Sequence, residues 1–136
     1  MIEDLKKIIE ANNNINDDLL IKKDIDEYLL KLNKFATILT YYSKSKLIGF
    51  IAYYSNEILN RNAYLTLVII DKDFRGEGIA KLLLESSISD IINRGFIHYK
   101  LEVLKTNIIA IKFYKKYGFS IEEDRGDLWL MNLNLI

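Results

Sequence analysis

Cysteine is missing from all 136 residues of the chain. That excludes a disulfide framework, a thiolate zinc site and a cysteine nucleophile, and it suits a reducing compartment. Histidine occurs once, at His98. A histidine-rich metal site is therefore out, and a Ser-His-Asp triad would have to be built on that one residue. An excess of either charge is also lacking. The 19 Lys and Arg residues balance 19 Asp and Glu residues, so nothing pulls the chain as a whole towards nucleic acid or an anionic membrane. No apolar run approaches the ~18 residues of a membrane span. Residues 1–7 are mixed-charge and amphipathic, without the basic start and unbroken apolar stretch of a secretory signal. What remains is half apolar and 28% charged, an ordinary soluble composition of one domain's length. A single cytoplasmic domain over residues 1–136, with no metal, is expected.

Apolar periodicity organises the chain. Ile2, Leu5, Ile8 and Ile9 fall at helical spacing, and Asn12, Asn13 and Asn14 end that helix. Asp17 or Asp18 is suited to cap a second helix whose stripe is Ile21, Ile25, Tyr28, Leu29 and Leu32. Residues 35–42 and 47–54 read as two strands of a hairpin around a short polar loop. Residues 63–70 form a third strand, apolar nearly throughout and expected to be central and covered on both faces. A glycine loop then leads into a long helix with Ile79, Leu82, Leu83, Ile88, Ile91 and Ile92 on its buried side and Gly95 as its stop. A strand over residues 99–103, a helix over 107–117 and two closing strands follow. The order ααβββαβαββ implies an α/β fold, a sheet of mixed direction with helices on both faces.

A buried strand, a glycine loop and a helix start together make an anion site. The first turn of a helix has N–H groups without intrahelical acceptors, and its dipole adds positive charge. Gly76 and Gly78 would let a phosphate approach the backbone, and Arg75 adds a cation at the loop entrance. A Walker loop needs Gly-x-x-x-x-Gly-Lys-Ser/Thr, which is absent. A dinucleotide fingerprint needs a third glycine where Lys81 stands. Arg75-Gly76-Glu77-Gly78-Ile79-Ala80 instead fits Arg/Gln-x-x-Gly-x-Gly/Ala. Taken alone, this stretch could equally be a plain strand-to-helix turn.

A second motif follows: Leu101-Glu102-Val103, Asn107 opening a helix, and Tyr114-Lys115-Lys116-Tyr117-Gly118-Phe119 closing it. The two motifs, in this order and with a helix and a strand between them, resemble the coenzyme A loop and downstream signature of the GNAT N-acetyltransferases. The likeness covers residue 35 to the C-terminus. It implies acetyl-CoA as co-substrate, no metal and a mixed, mostly antiparallel sheet. The family's usual first strand has no visible counterpart.

The resemblance also assigns roles. Backbone groups of Val68, Ile69 and Ile70 would pair with the pantetheine arm. The N–H groups of Gly76, Glu77, Gly78, Ile79, Ala80 and Lys81 would hold the pyrophosphate, with Asn107 on the coenzyme arm. Tyr114 would be the general acid, and chemistry supports it independently: a phenol of pKa ~10 is protonated at neutral pH and can donate to a thiolate whose acid has pKa ~8.5. By residue type alone Tyr114 reads first as a core aromatic beside Phe113 and Tyr117, and its place in the Tyr-x-x-x-Gly-Phe pattern is what favours the catalytic role. Residues 63–70 carry no carboxylate, so Glu102 is the candidate base, against a structural or orienting role with water carrying the proton. His98 and Trp129 read as structural, and Glu57 and Tyr64 lie near the substrate edge without an assigned role.

Two loop positions depart from the family. Glu77 stands where a basic residue is common, and Lys72 replaces a customary proline, a residue the chain lacks. The acceptor expected is a primary amine, with a weak lean to a nucleotide-linked amino sugar of surface-polysaccharide synthesis over a peptide N-terminus or a small amine. A non-catalytic acyl-CoA sensor is the alternative. A homodimer through the last strands would follow the family.

Overall fold

A computed structural model describes residues 1–12 and 24–136. The elements follow the expected order: α1 (Ile2–Asn12), α2 (Ile25–Phe35), β1 (Thr37–Ser43), β2 (Lys46–Glu57), β3 (Asn62–Ile70), a short 3₁₀ turn (Lys72–Phe74), α3 (Ile79–Asn93), β4 (His98–Leu104), α4 (Ile108–Lys116), β5 (Ser120–Arg125) and β6 (Leu128–Asn134). The strands form one mixed sheet in the order β1-β2-β3-β4-β6-β5. β3 and β4 run parallel, while β1 with β2, β4 with β6 and β5 with β6 are antiparallel. Contacts group the chain into two compact units, Met1–Tyr53 with Leu67–Ser87, and Tyr54–Thr66 with Ile88–Ile136.

In the first unit, α1 buries Leu5, Ile8 and Ile9, the i, i+3, i+4 stripe read from the sequence, each worth roughly 1.5–3 kcal/mol of apolar burial. Glu3 and Asp4 sit in its first turn, where the dipole favours anions. Asn12 closes it, donating from Nδ2 to the Ile8 carbonyl at 2.7 Å. The Asp17, Asp18 and Ile21 expectations lie outside the described residues. α2 starts at Ile25, where Asp24 accepts the Asp26 N–H at 2.9 Å. Its last residue is Phe35, a residue whose strand propensity suits the start of β1. Phe35 is exposed, with the Lys34 ammonium 5.3 Å from its ring centre. Strand propensity without burial does not outweigh one more helical turn. The β1–β2 hairpin turns through Lys44 and Ser45, both at positive φ, the mirror-image geometry that suits a two-residue connection.

In the second unit, β4 buries Tyr99, Leu101 and Val103 while Lys100 and Glu102 face the other way. β3 was expected to be covered on both faces, but its burial alternates. Ala63, Leu65, Leu67 and Ile69 are buried, and Tyr64 is exposed. Apolar composition alone could not reveal this, because a tyrosine serves either environment. β5, at the sheet edge, is exposed along its whole length and carries Glu122, Glu123, Asp124 and Arg125, a charge pattern that discourages pairing with another strand. His98 opens β4, with Nδ1 3.3 Å from the Asn132 amide nitrogen. The Lys105 ammonium stands 4.3 Å from the centre of the Trp129 ring, consistent with structural roles for both rings.

Candidate active site

The first unit carries the glycine loop. Asp71 ends β3's run with its N–H on the Ile48 carbonyl at 2.8 Å, and its carboxylate accepts the Asp73 N–H at 2.9 Å. Gly76 and Gly78 adopt φ values of +83° and +82°, and a Cβ at either would meet only open space. L-residues avoid that backbone region, so the loop's path needs glycine there. Asp24, Asn107 and Asp71 cap α2, α4 and the 3₁₀ turn with their side chains. α3 instead starts behind Gly78, whose carbonyl accepts the Leu82 N–H at 3.1 Å. Glycine has no side-chain acceptor, and the first turn of α3 holds no acidic residue. The N–H groups from Gly78 to Lys81 thus form a helix start left open to an anionic ligand.

Gly49 in β2 explains how the loop is seated. A Cβ there would lie 2.8 Å from Ile70 Cδ1, 3.2 Å from Ile79 Cγ2 and 3.3 Å from the Ile69 carbonyl oxygen. The residues bracketing the loop therefore close over a position that only a hydrogen fits. The Arg75 side chain is partly engaged: Nε donates to the Ile70 carbonyl and one Nη to Asn12 Oδ1, both at 3.2 Å. Its charge stays at the loop entrance while its donors fasten the loop to the end of α1.

The second unit carries the other motif. Asn107 caps α4, its Oδ1 accepting the Ala110 N–H at 3.2 Å, so its amide NH2 remains as a donor. The closing Tyr-x-x-x-Gly-Phe sequence is a helix stop. Gly118 takes φ +99°, and the N–H groups of Tyr117 and Phe119 both return to the Tyr114 carbonyl at 3.1 Å. Phe119 is then buried, its ring 5.6 Å from that of Tyr114 and 5.8 Å from that of Tyr99. The Tyr114 ring keeps some exposure, yet burial pushes its phenol up to about 12. It is a phenol, never a phenolate, at any physiological pH.

Glu102 lines a cavity of about 310 Å³ with Tyr54, Tyr64, Thr66, Arg125 and Leu130. Its carboxylate is paired with Arg125 at 3.1 Å, and the same guanidinium reaches Glu123 at 3.1 Å. Tyr64 donates from its hydroxyl to Glu57 at 2.9 Å. The paired register of β3 with β4 ends at Leu65 and Leu101, while β3 continues to Ile70, so Val68, Ile69 and Ile70 lie beyond that pairing. Among the described residues no cluster of three or more potential metal-ligating side chains occurs.

Residues 4–119 match the profile of the acetyltransferase (GNAT) family. The chain belongs to that family. GNAT proteins use acetyl-CoA, and the open α3 start with its two positive-φ glycines fits a pyrophosphate. Among curated proteins, the GNAT chain is 32% identical over 69 residues to the ribosomal protein bS18-alanine N-acetyltransferase of Salmonella typhimurium, a stretch covering 51% of this chain and 47% of that protein. It is 30% identical over 110 residues to N-alpha-acetyltransferase 30 of Dictyostelium discoideum, covering 74% of this chain and 59% of the other. The matches thus span about half the length of these relatives. In fold it is similar to the PaiA N-acetyltransferase of Thermoplasma acidophilum, solved in complex with coenzyme A, with a TM-score of 0.74 and 23% identity over 98% of this chain and 94% of the other.

Four features of the two units carry little or no signal in the sequence: the Arg125 partner of Glu102 and the Glu57 partner of Tyr64 in the second, and the Asn12 partner of Arg75 and the close approach at Gly49 in the first. The first and third join residues 23 and 63 apart, and local spacing carries no signal for such pairs. The Glu57–Tyr64 pair spans seven residues, short enough that a turn between two strands could have suggested it.

Proposed function

We propose that this chain transfers the acetyl group of acetyl-CoA to the amino terminus of a peptide or protein. The observation that carries the coenzyme half of the reading is the uncapped start of α3 behind Gly78, in a chain of the GNAT family. When bound, acetyl-CoA supplies a thioester carbonyl that the amine attacks, with the coenzyme thiolate leaving. The N–H groups from Gly76 to Lys81 hold the pyrophosphate, and Arg75 adds charge at the loop entrance. The backbone of Val68, Ile69 and Ile70 lines the pantetheine arm as an added strand would, and the Asn107 amide donates to that arm. Tyr114 donates its phenolic proton towards the leaving sulfur. With its pKa near 12 against ~8.5 for a thiol, full transfer is uphill in water. A hydrogen bond to a desolvated thiolate needs no complete transfer and stabilises the charge as it forms.

Glu102 takes the proton of the incoming ammonium. An α-amine of pKa ~8 gives up its proton more readily near neutral pH than a lysine side chain of pKa ~10.4. The two curated relatives described above are named for acetylating a protein alanine and N-alpha amines, in keeping with this acceptor. Neither supports the amino-sugar expectation. The acyl-CoA sensor is the weaker reading, because the desolvated Tyr114 phenol shows no hydrogen bond among the described residues and is therefore available as a donor.

The test is coenzyme thiol release from acetyl-CoA against N-terminal peptides, nucleotide-linked amino sugars and small amines. Release with peptides, largely lost in Tyr114→Phe, supports the reading. Release only with an amino sugar would move the acceptor class. Coenzyme binding with no acceptor consumed would favour the sensor.

A further inference from the structure

Glu57 ends β2 in the second unit and is held without a cation. Its Oε1 accepts from Asn60 Nδ2 at 2.9 Å and from Asn62 Nδ2 at 3.2 Å, and its Oε2 accepts from the Tyr64 hydroxyl at 2.9 Å. Three neutral donors favour the ionised carboxylate, and its pKa is lowered, first by the Asn60 bond and then by the Tyr64 bond. Among the described residues no Lys or Arg is ion-paired to it. Lys100 influences it from a distance and is itself bridged to Glu122 at 3.1 Å. The other carboxylates on this face are different: Glu102 and Glu123 share Arg125, and Glu122 has Lys100. Glu57 is thus a fixed anionic group that, among the described residues, forms no ion pair, although the Lys100 charge is felt there, and donors rather than a cation set its geometry.

Tyr64 links that carboxylate to the acceptor cavity, which it lines together with Glu102. In the parallel register Tyr64 stands opposite Lys100, two residues before Glu102, an offset of roughly 7 Å along the strand. The length of the phenol then puts Glu57 on the order of 10 Å from Glu102. We propose that Glu57, fixed by Asn60, Asn62 and Tyr64, is a specificity-determining subsite for a second positive charge on the acceptor, a group about three residues of extended peptide away from the reacting amine. The acceptor class is therefore a dication: a peptide with Lys or Arg close behind its amino terminus, or a long diamine that presents the same two charges. The proposal rests on the acetyl-transfer reading only for the identity of the first amine.

The experiment uses two matched pairs on the full chain. One pair is an N-terminal peptide with lysine at its third position and the same peptide with norleucine there. The other is a long-chain α,ω-diamine and its monoamine. Each is titrated by calorimetry without acetyl-CoA and then assayed for thiol release. The wild type should bind the dication of at least one pair roughly fivefold more tightly, and raising the salt should shrink that ratio towards one. Glu57→Gln should abolish the ratio while its melting temperature shows that it remains folded. An advantage confined to the peptides identifies a side-chain source, and one confined to the diamine identifies a polyamine. A ratio of one in the wild type for both pairs, or an unchanged ratio in Glu57→Gln or at high salt, overturns the subsite. A surviving binding ratio without any thiol release would instead sink the acetyl-transfer reading and leave the subsite standing.

Discussion

Replacing Tyr114 with phenylalanine separates a catalytic phenol from a core aromatic. The ring makes edge contacts with Phe113 at 5.5 Å and Phe119 at 5.6 Å between centres, and phenylalanine keeps both. The hydroxyl contributes no hydrogen bond among the described residues, and burial raises its pKa. Tyr114 keeps some exposure, and its hydroxyl is not among the fully buried, unpartnered side-chain atoms, so little stability rests on it. Its loss should therefore leave the melting temperature nearly unchanged. Loss of a general acid should lower kcat about 100-fold or more, equivalent to ~3 kcal/mol of transition-state stabilisation, with little change in the KM for acetyl-CoA. Thermal melts and thiol-release kinetics on the same preparation read both quantities. An unchanged kcat, or a fall matched by a lower melting temperature, would refute the assignment. The pH dependence adds a check. The folded phenol ionises near 12, above its unfolded value of ~10. Its contribution is thus fully present below pH 10 and is lost as pH rises through 12, at up to about 1.4 kcal/mol per unit. Tyr114→Phe should lack that alkaline decline.

Three further outcomes are expected. Gly49→Ala places a methyl group 2.8 Å from Ile70 Cδ1 and 3.2 Å from Ile79 Cγ2; it should cost about 1–3 kcal/mol in denaturant unfolding and weaken coenzyme binding, because both isoleucines bracket the loop. Gly118→Ala forces a side chain into φ +99° and to within 3.0 Å of Leu133 Cδ1, so a loss of about 1–2 kcal/mol is expected by thermal melting. Glu77→Lys reverses an exposed charge in the glycine loop before α3; coenzyme should bind several-fold more tightly at low salt, with the gain shrinking as ionic strength rises.

Much of the fold was legible because it rests on local periodicity. The α1 stripe Leu5, Ile8 and Ile9 and the glycine that stops α4 were readable from spacing, and the burial of the stripe and the positive φ of Gly118 follow from them. The limits came where a residue type suits two environments. Phe35 has strand propensity but ends α2, and Tyr64 looks like a buried strand residue but stands exposed on Glu57. The candidate site was legible in its backbone, since glycine at positive φ and an uncapped helix start are sequence-local properties. Its side-chain engagements were not. A guanidinium such as Arg75 or Arg125 reaches partners that only the folded chain supplies, here Asn12 and Glu102.

Coenzyme binding is the most direct test of the acetyl-transfer assignment. Coenzyme A titrated into the wild-type chain by calorimetry should bind at a single site and, above Kd, raise the melting temperature with the logarithm of its concentration over Kd. Gly78→Asp, which would place a carboxylate at the start of α3, should lose most of that affinity. Absence of both binding heat and thermal protection in a folded wild-type chain would rule out acetyl-CoA as its co-substrate.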